Sequence, residues 1–215
     1  MRLPNSAHTD RPWRIHEVAP DFHVEDVWAL PTPGGPDDLP RLVQLAGTDD
    51  PRALDAQGRY VGDGSQGIAS RASRAVFALR WKLGDLFGWD DQDSGVGSRV
   101  ATLRDRLPAD LRDGPRGPDP ESVPMSSLYI THDEWAAEMA NRTVHSVMHI
   151  GWVPDGAGGY RGQMAVLVKP NGLFGRAYMA AIKPFRYLLV YPALMRRLDR
   201  DWQAGASQTS TPTPV

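Results

Sequence analysis

The sequence contains no cysteine. This absence excludes disulfide bonds, cysteine-ligated zinc, iron–sulfur clusters and thiol catalysis. Net charge is nearly absent too, since the formal value is −2 at pH 7 and offers no general attraction for nucleic acid or an anionic membrane. We therefore expect no nucleic-acid partner, because such a function would need a local basic patch.

Long hydrophobic runs are also missing. No apolar stretch reaches the roughly 18–20 residues of a membrane span, and the N-terminus lacks the apolar run of about 7–15 residues typical of a signal peptide. These absences predict a cytoplasmic protein. The chain has 215 residues, 41% of them hydrophobic, which is enough for one sizeable core. We predict one domain over residues 1–202, with flexible loops near 47–72 and 90–124, and a disordered tail at 203–215.

Alternating apolar residues predict a largely antiparallel sheet. The period of two favours strands at 22–30, at 127–131, at 143–153 and from Tyr160 onward. Residues 134–140 also alternate, although their alanine and glutamate favour a helix, and we favour the strand because a hairpin turn follows it.

Helices are predicted at two places before these later strands. Apolar residues from Leu39 to Leu45 follow the capping candidates Asp37 and Asp38, and an amphipathic pattern covers 73–87. Residues 1–20 are polar and rich in proline, and we expect them to form an arm on the surface of the domain.

The strand at 143–153 and the strand after Tyr160 both place their apolar residues at even positions. The two apolar sets share one face only if the numbers of paired residues add to an even number, so we predict an even register. His145 and His149 then stand about 13 Å apart on the more polar face, too far apart for one metal ion. We expect exposed or hydrogen-bonded structural histidines and no metal site.

The C-terminal segment at 174–202 is an apolar helix containing Pro184 and Pro192. Each proline removes an intrahelical hydrogen bond, which predicts a break near Pro184 and a kink at Pro192. The apolar arc of this helix can lie on the sheet, and the surface between them is either core or a ligand pocket. Residues that would line such a pocket are Met148, Trp152, Tyr160, Met164, Tyr178 and Tyr191.

Three residues are candidates for acid–base catalysis. Asp26 falls on the apolar face of the first strand, where burial would raise its pKa, unless a bulge turns it towards water. Lys183 lies at the expected helix break, where desolvation could lower the pKa of its amine, although a snorkelling lysine is the simpler interpretation. Tyr178 would be the proton donor.

One motif resembles a cofactor site. Residues 62–67 read Gly-Asp-Gly-Ser-Gln-Gly, which matches the dinucleotide fingerprint G-x-G-x-x-G. No buried strand precedes the glycines and no βαβ pattern follows, so a flexible loop is the better interpretation. We therefore predict no cofactor.

Several motifs, in order along the chain, are similar to one bacterial family. They span nearly the whole sequence, which departs from the family mainly in the loops at 47–72 and 90–124. The chain resembles the proteins catalogued as domain of unknown function 2867 at residues 11–17, 26–31, 141–145, 162–172, 181–186 and 191–192.

The resemblance implies an α+β fold of the START-like helix-grip type. In that fold a curved antiparallel sheet wraps a long C-terminal helix, and two short helices follow the first strand. The wider superfamily includes proteins that bind lipids, sterols or polyketides, and cyclases and hydratases. Some related domains are fused to nucleotide-binding oxidoreductase domains, so any redox role here would need an oxidoreductase partner.

Three functions are consistent with these observations. The leading hypothesis is a protein that binds a small apolar molecule between the sheet and the C-terminal helix. The second is an enzyme of the cyclase or lyase type that uses Asp26, Lys183 and Tyr178. The third is a module that contacts an anionic membrane surface or another partner through the apolar arc and arginines of residues 184–202.

Overall fold

The computed structural model describes residues 1–47, 95–98, 100–120, 124–141 and 143–209. One six-stranded antiparallel sheet forms its centre, with the strands in the order β1-β2-β6-β5-β4-β3. The strands are β1 (Arg2–Leu3), β2 (His23–Ala29), β3 (Ser126–Ile130), β4 (Glu134–Ala140), β5 (Val144–Pro154) and β6 (Tyr160–Pro170).

Helices lie on both sides of this sheet, so the fold class is α+β. The helical elements are α1 (Ser6–Thr9), α2 (Ile15–Val18), α3 (Leu39–Gly47), a 3-10 turn (Leu103–Arg106), α4 (Ala109–Arg112), α5 (Gly172–Phe185), a π turn (Arg186–Val190) and α6 (Tyr191–Thr209). The predicted short helix from Leu39 is confirmed as α3. The predicted helix at 73–87 and the glycine motif at 62–67 lie outside the described residues.

The even register between β5 and β6 is confirmed. Ile150 pairs with Met164 and Val144 pairs with Pro170, so the numbers of paired residues add to an even number along the ladder. The strand at 134–140 is confirmed as well, because β4 pairs with both β3 and β5.

Both faces of the sheet are covered, although the alternation indicated one apolar and one more polar face. We call them the helix side, where Ile150 and Met164 point, and the arm side, where Val147 and Leu167 point. Residues 1–19 form the edge strand β1 and then cover the arm side as a structural layer, so they are not a surface arm. The arm side also receives residues from the segment predicted as a flexible loop: Leu103, Leu107 and Leu111 are all buried there. The period of two shows which residues share a face, but it does not show whether a distant segment covers that face.

The C-terminal helix packs on the helix side without breaking. Pro184 lies inside α5, which continues through the π turn into α6, and Pro192 lies in the first turn of α6. The π turn therefore replaces the predicted break. Helix α6 continues to Thr209, so the first part of the predicted tail is helical. Residues 210–215 lie outside the described part.

A β-bulge divides β2. Val24 pairs with Leu167 and the next pair is Asp26 with Val166, so Glu25 is an extra residue without its own partner. The bulge changes which side the strand presents: Val24 packs on the arm side and Trp28 on the helix side. Uninterrupted alternation would place Val24 and Trp28 on one face, and the one inserted residue reverses it.

Candidate functional site

The predicted pocket residues lie in the large hydrophobic cluster between the sheet and helices α3 and α6. Trp152, Met164 and Tyr191 are buried in it, and Met148 and Tyr160 pack against it while half-buried. Tyr178 belongs to α5, but its side chain lies outside the described part. The structure thus brings five of the six predicted residues into one cluster, and their role in binding stays a prediction.

Two of these residues hold elements of the fold together at one end of the cluster. The indole Nε1 of Trp152 donates to the carbonyl oxygen of Gly35 at 2.8 Å, and its ring lies 6.0 Å from that of Trp202. Tyr160 forms a backbone bridge with Gly34. These contacts assign Trp152 and Tyr160 to the packing of the α6 end against the segment before α3.

The best candidate surface lies in the middle of the helix side. Cross-strand pairing places Asp26, Val166, Met148 and Ala137 side by side on four neighbouring strands, and we call these four residues the central row. Val166 and Met148 are only half-buried, although β6 and β5 are the two innermost strands.

The arm side of the same strands shows what full coverage looks like. Val147 directly precedes Met148 and Leu167 directly follows Val166 in sequence, and they are 0% and 1% exposed. On the helix side, Met148 packs with the large cluster, whereas Val166 packs with a separate small cluster around Met179. The two clusters therefore adjoin at Met148 and Val166, which pair directly between β5 and β6. They do not cover these two side chains completely.

A buried ion pair borders this surface. Asp26 is 0% exposed and accepts hydrogen bonds from Trp28 Nε1 at 2.7 Å and from Arg186 Nη2 at 2.6 Å. The same Nη2 donates to the hydroxyl of Tyr191. Burial alone would lower the pKa of Arg186, but the neighbouring Tyr191 and Asp26 outweigh it, and its pKa is raised.

The position of Asp26 corrects one sequence expectation. The predicted bulge is present, but it turns the carboxylate towards the helix and not towards water. Asp26 forms an ion pair with Arg186, so it is not the isolated buried carboxyl group that the hypothesis of acid catalysis required.

Lys183 does not have the environment of a catalytic amine. Its side chain is 43% exposed, and its Nζ lies 3.2 Å from Glu25 Oε1. The hydrogen bond to Glu25 raises the pKa of this amine. The alternative of a lowered pKa is therefore wrong, and the snorkelling lysine is confirmed, because the helix does not break there and leaves the amine near solvent.

Sequence reasoning missed two neighbours of the ion pair, Trp28 and Tyr187. They form an aromatic group with the predicted Tyr191, with ring centroids 4.5 Å apart for Trp28 and Tyr191 and 6.0 Å apart for Trp28 and Tyr187. The hydroxyl of Tyr187 is buried and makes no hydrogen bond to the described residues. A signal was present, since Arg186 and Tyr187 lie two and three residues after the proline expected to disturb the helix.

The histidines lie buried on the arm side and do not face solvent. Nε2 of His149 donates to Glu134 Oε2 at 2.7 Å, and Nδ1 of His149 lies 3.1 Å from Nε2 of His8. Glu134 also accepts from the backbone N–H of Arg14 at 2.9 Å. Burial opposes ionisation of Glu134, but the contacts with His149 and Arg14 outweigh it, and its pKa is lowered overall.

A second pair repeats this arrangement along the same strands. Nε2 of His145 donates to Glu138 Oε2 at 2.8 Å, and Glu138 also accepts from the backbone N–H of Leu103 and from the hydroxyl of Thr102. Each glutamate thus binds one covering segment to the sheet, the arm through Arg14 and the 3-10 turn through Leu103. Of the two alternatives for these histidines, the hydrogen-bonded one is confirmed and the exposed one is wrong, and both lie on the face away from the C-terminal helix, as predicted. Within the described ranges no three metal-ligating side chains cluster together.

The arginines considered for membrane contact lie on α6. Arg196 and Arg200 are exposed, and Arg197 Nε lies 3.5 Å from Asp201 Oδ2. None of the helices in the part of the chain that the structure describes is long and apolar enough to cross a membrane.

Comparison with known proteins places the chain in a family. No curated protein and no solved structure is significantly similar to this chain. One family model matches residues 18–193, a range that contains β2 to β6, the ion pair and the central row, and its description reads "Protein of unknown function (DUF2867)". Since the match covers most of the sequence, the chain belongs to this family of proteins of unknown function.

Proposed function

We propose that the protein binds a small hydrophobic molecule between the helix side of its sheet and its C-terminal helix. In this proposal the fold is a helix grip of the START-like type, with α5, the π turn and α6 as the gripped helix. The supporting observation is the half-buried pair of Met148 and Val166 at the centre of the sheet.

The physical argument rests on where this apolar surface lies. Apolar surface that a ligand removes from water contributes about 25 cal/mol per Å². Scattered apolar residues on an outer surface are ordinary, but Met148 and Val166 belong to inner strands and stand between two buried clusters. A methionine in such a wall adapts readily to different ligand shapes.

The polar groups beside the surface are few and fixed. Asp26, Arg186 and Tyr191 bond to one another next to Val166, and aromatic rings surround them. A mostly apolar site with a small number of placed polar groups is the usual composition of small-molecule sites.

Titration with Nile red, a neutral apolar fluorophore, tests the proposal. We expect saturable binding with one dye per chain and an emission shifted towards the blue. A Met148→Trp variant should fill the gap beside Val166 and weaken dye binding at least tenfold, with little change in the melting temperature.

The matched control is Leu173→Trp. Leu173 is 81% exposed at the start of α5, so the same indole is added away from the central row and dye binding should not change. A flat titration of the wild-type protein, or equal binding by the Met148→Trp variant, would reject the proposed site.

A further inference from the structure

The proposed site has hydrogen-bond donors that lack acceptors. Arg186 uses only Nη2 for its bonds to Asp26 and Tyr191, so Nε and Nη1 donate to no described residue. The adjacent hydroxyl of Tyr187 is buried, lies near the amine of Lys183 and has no acceptor there. Buried polar groups are normally satisfied, so an unpaired hydroxyl beside a partly paired guanidinium needs an explanation.

The charge around Tyr187 favours an anion. Lys183 Nζ lies 5.8 Å from the centroid of the Tyr187 ring, and Arg2 Cζ lies 4.7 Å from it, in addition to the neighbouring Arg186. The facing carboxylates are Asp26, paired with Arg186, and Glu25, paired with Lys183. Three cations against two carboxylates leave one positive charge in excess.

We infer, on the basis of the proposed function, that the ligand is a small carboxylic acid with an apolar tail. Its carboxylate accepts hydrogen bonds from the free donors of Arg186 and from the hydroxyl of Tyr187, and its tail lies along Val166 and Met148. Only an acceptor satisfies all of these groups, since a guanidinium has no acceptor atom.

The register gives the direction of the tail. Asp26 pairs with Val166 and Val166 pairs with Met148, so the ion pair and the exposed apolar surface follow one another across three strands. Neighbouring strands lie about 4.8 Å apart, which places Met148 about 10 Å from the strand of Asp26. An unbranched or aromatic acid of medium length spans this distance.

Displacement of Nile red by decanoic acid and by decanol tests the inference, because the two molecules share one tail and differ in the head group. At pH 7.5 we expect the wild-type protein to bind the acid about tenfold more tightly than the alcohol, because hydrogen bonds to charged groups are the stronger ones.

Tyr187→Phe is the diagnostic variant. It removes a hydroxyl that lacks an acceptor and keeps the ring, so stability should stay equal or rise. Affinity for decanoic acid should fall about fivefold, and affinity for decanol, whose neutral oxygen accepts a weaker hydrogen bond, by about twofold or less. An Arg186→Gln, Asp26→Asn double variant removes both charges together and should abolish the preference for the acid.

The outcomes separate the inference from the proposed function. Equal affinity for acid and alcohol, together with an unchanged acid affinity in Tyr187→Phe, would overturn the inference and leave the site intact. If neither the dye nor either competitor binds, the proposed function fails first. The Tyr187→Phe result decides the question even if the double variant does not fold.

Discussion

At the scale of single residues, the arm side depends on a close approach between Trp13 and the backbone of β5. A Cβ added at Gly151 would lie 2.5 Å from Cζ2 of the Trp13 ring, which is closer than such atoms approach each other. Gly151 therefore provides the space in which a buried indole of the arm lies flat on the sheet.

Gly151→Ala should lower the free energy of unfolding by about 1–3 kcal/mol, because the rigid indole must move out of a packed layer. Urea denaturation of both proteins measures this difference. Gly35→Ala is the control, since its added Cβ would meet nothing closer than 3.7 Å, and its stability should stay within about 0.5 kcal/mol of the wild type. Equal stability of Gly151→Ala and Gly35→Ala would contradict the packing described.

The sequence predicted buried residues less well than it predicted their alternation. His145 and His149 are hydrogen-bonded as expected, but their burial could not be predicted because it depends on segments far away in the chain. Leu103 and Arg14, whose backbone groups complete the two glutamate pairs, give no local signal of this role. One signal does exist: Glu134 and Glu138 have the same spacing as His145 and His149 on the next strand.

At the scale of elements, the turn between α5 and α6 positions the candidate site. Pro184 cannot donate the hydrogen bond of a helix interior, and the π turn that follows contains Arg186 and Tyr187. Single π turns inside α-helices often occur at functional sites. The hydrogen bond missing at Pro184 lowers local stability, and the π turn that follows it places the donors that we assign to ligand binding.

Pro184→Ala should raise the free energy of unfolding by about 1–2 kcal/mol, because it restores a backbone donor inside the helix. If the helix then straightens, Arg186 moves and Nile red binding should weaken severalfold. Chemical denaturation and dye titration of the same sample measure both effects.

Pro40→Ala provides the matched control. Pro40 lies in the first turn of α3, where its missing N–H has no intrahelical acceptor. The change should therefore lower stability, by at most about 1 kcal/mol, through the added freedom of the unfolded chain. An equal gain in the free energy of unfolding from Pro40→Ala and Pro184→Ala would contradict this explanation, because only Pro184 lies in a helix interior.

Elements with local pairing were predictable, and elements that depend on distant contacts were not. Strands β4, β5 and β6 are joined by tight connections, so alternation and turn residues were sufficient to find them and to set the register of β5 and β6. Helix α2 and the 3-10 turn are four residues each, too short for a periodic signal, and they are held by the sheet beneath them.

At the scale of the whole molecule, buried titratable groups link stability to pH. Burial, together with the neighbouring His149 and His16, lowers the pKa of His8 from 6.5 to about 2. The unfolded chain therefore binds a proton at His8 below pH 6.5 that the folded protein does not bind until about pH 2, so acid favours unfolding across this window. The pKa values of Glu134 and Glu138 are lowered, so stabilisation by these carboxylates is lost at still lower pH, below 4.5.

We expect the free energy of unfolding to fall by about 2 kcal/mol between pH 7 and pH 5, since one proton contributes about 1.4 kcal/mol per pH unit. Urea denaturation across this range measures the slope. The His8→Gln variant keeps a hydrogen-bond donor for His149 but does not titrate. The change of its unfolding free energy per pH unit should therefore be smaller by about 1.4 kcal/mol, which is the contribution of one proton. A wild-type stability that is constant from pH 7 to pH 5 would show that His8 is accessible to protons in the folded state.

The order of the strands has a consequence for how the chain acquires its structure. Ala29 pairs with Gln163, so β2 can pair with β6 only after residues near the other end of the chain have been synthesised. Strands β3 to β6, in contrast, can pair one after another during synthesis. Contacts between distant segments form slowly, because closing a long loop costs entropy before any pairing compensates for it. We expect β3 to β6 to form first and the first thirty residues to dock last. On a ribosome, those residues would remain without a partner until almost the whole chain had emerged.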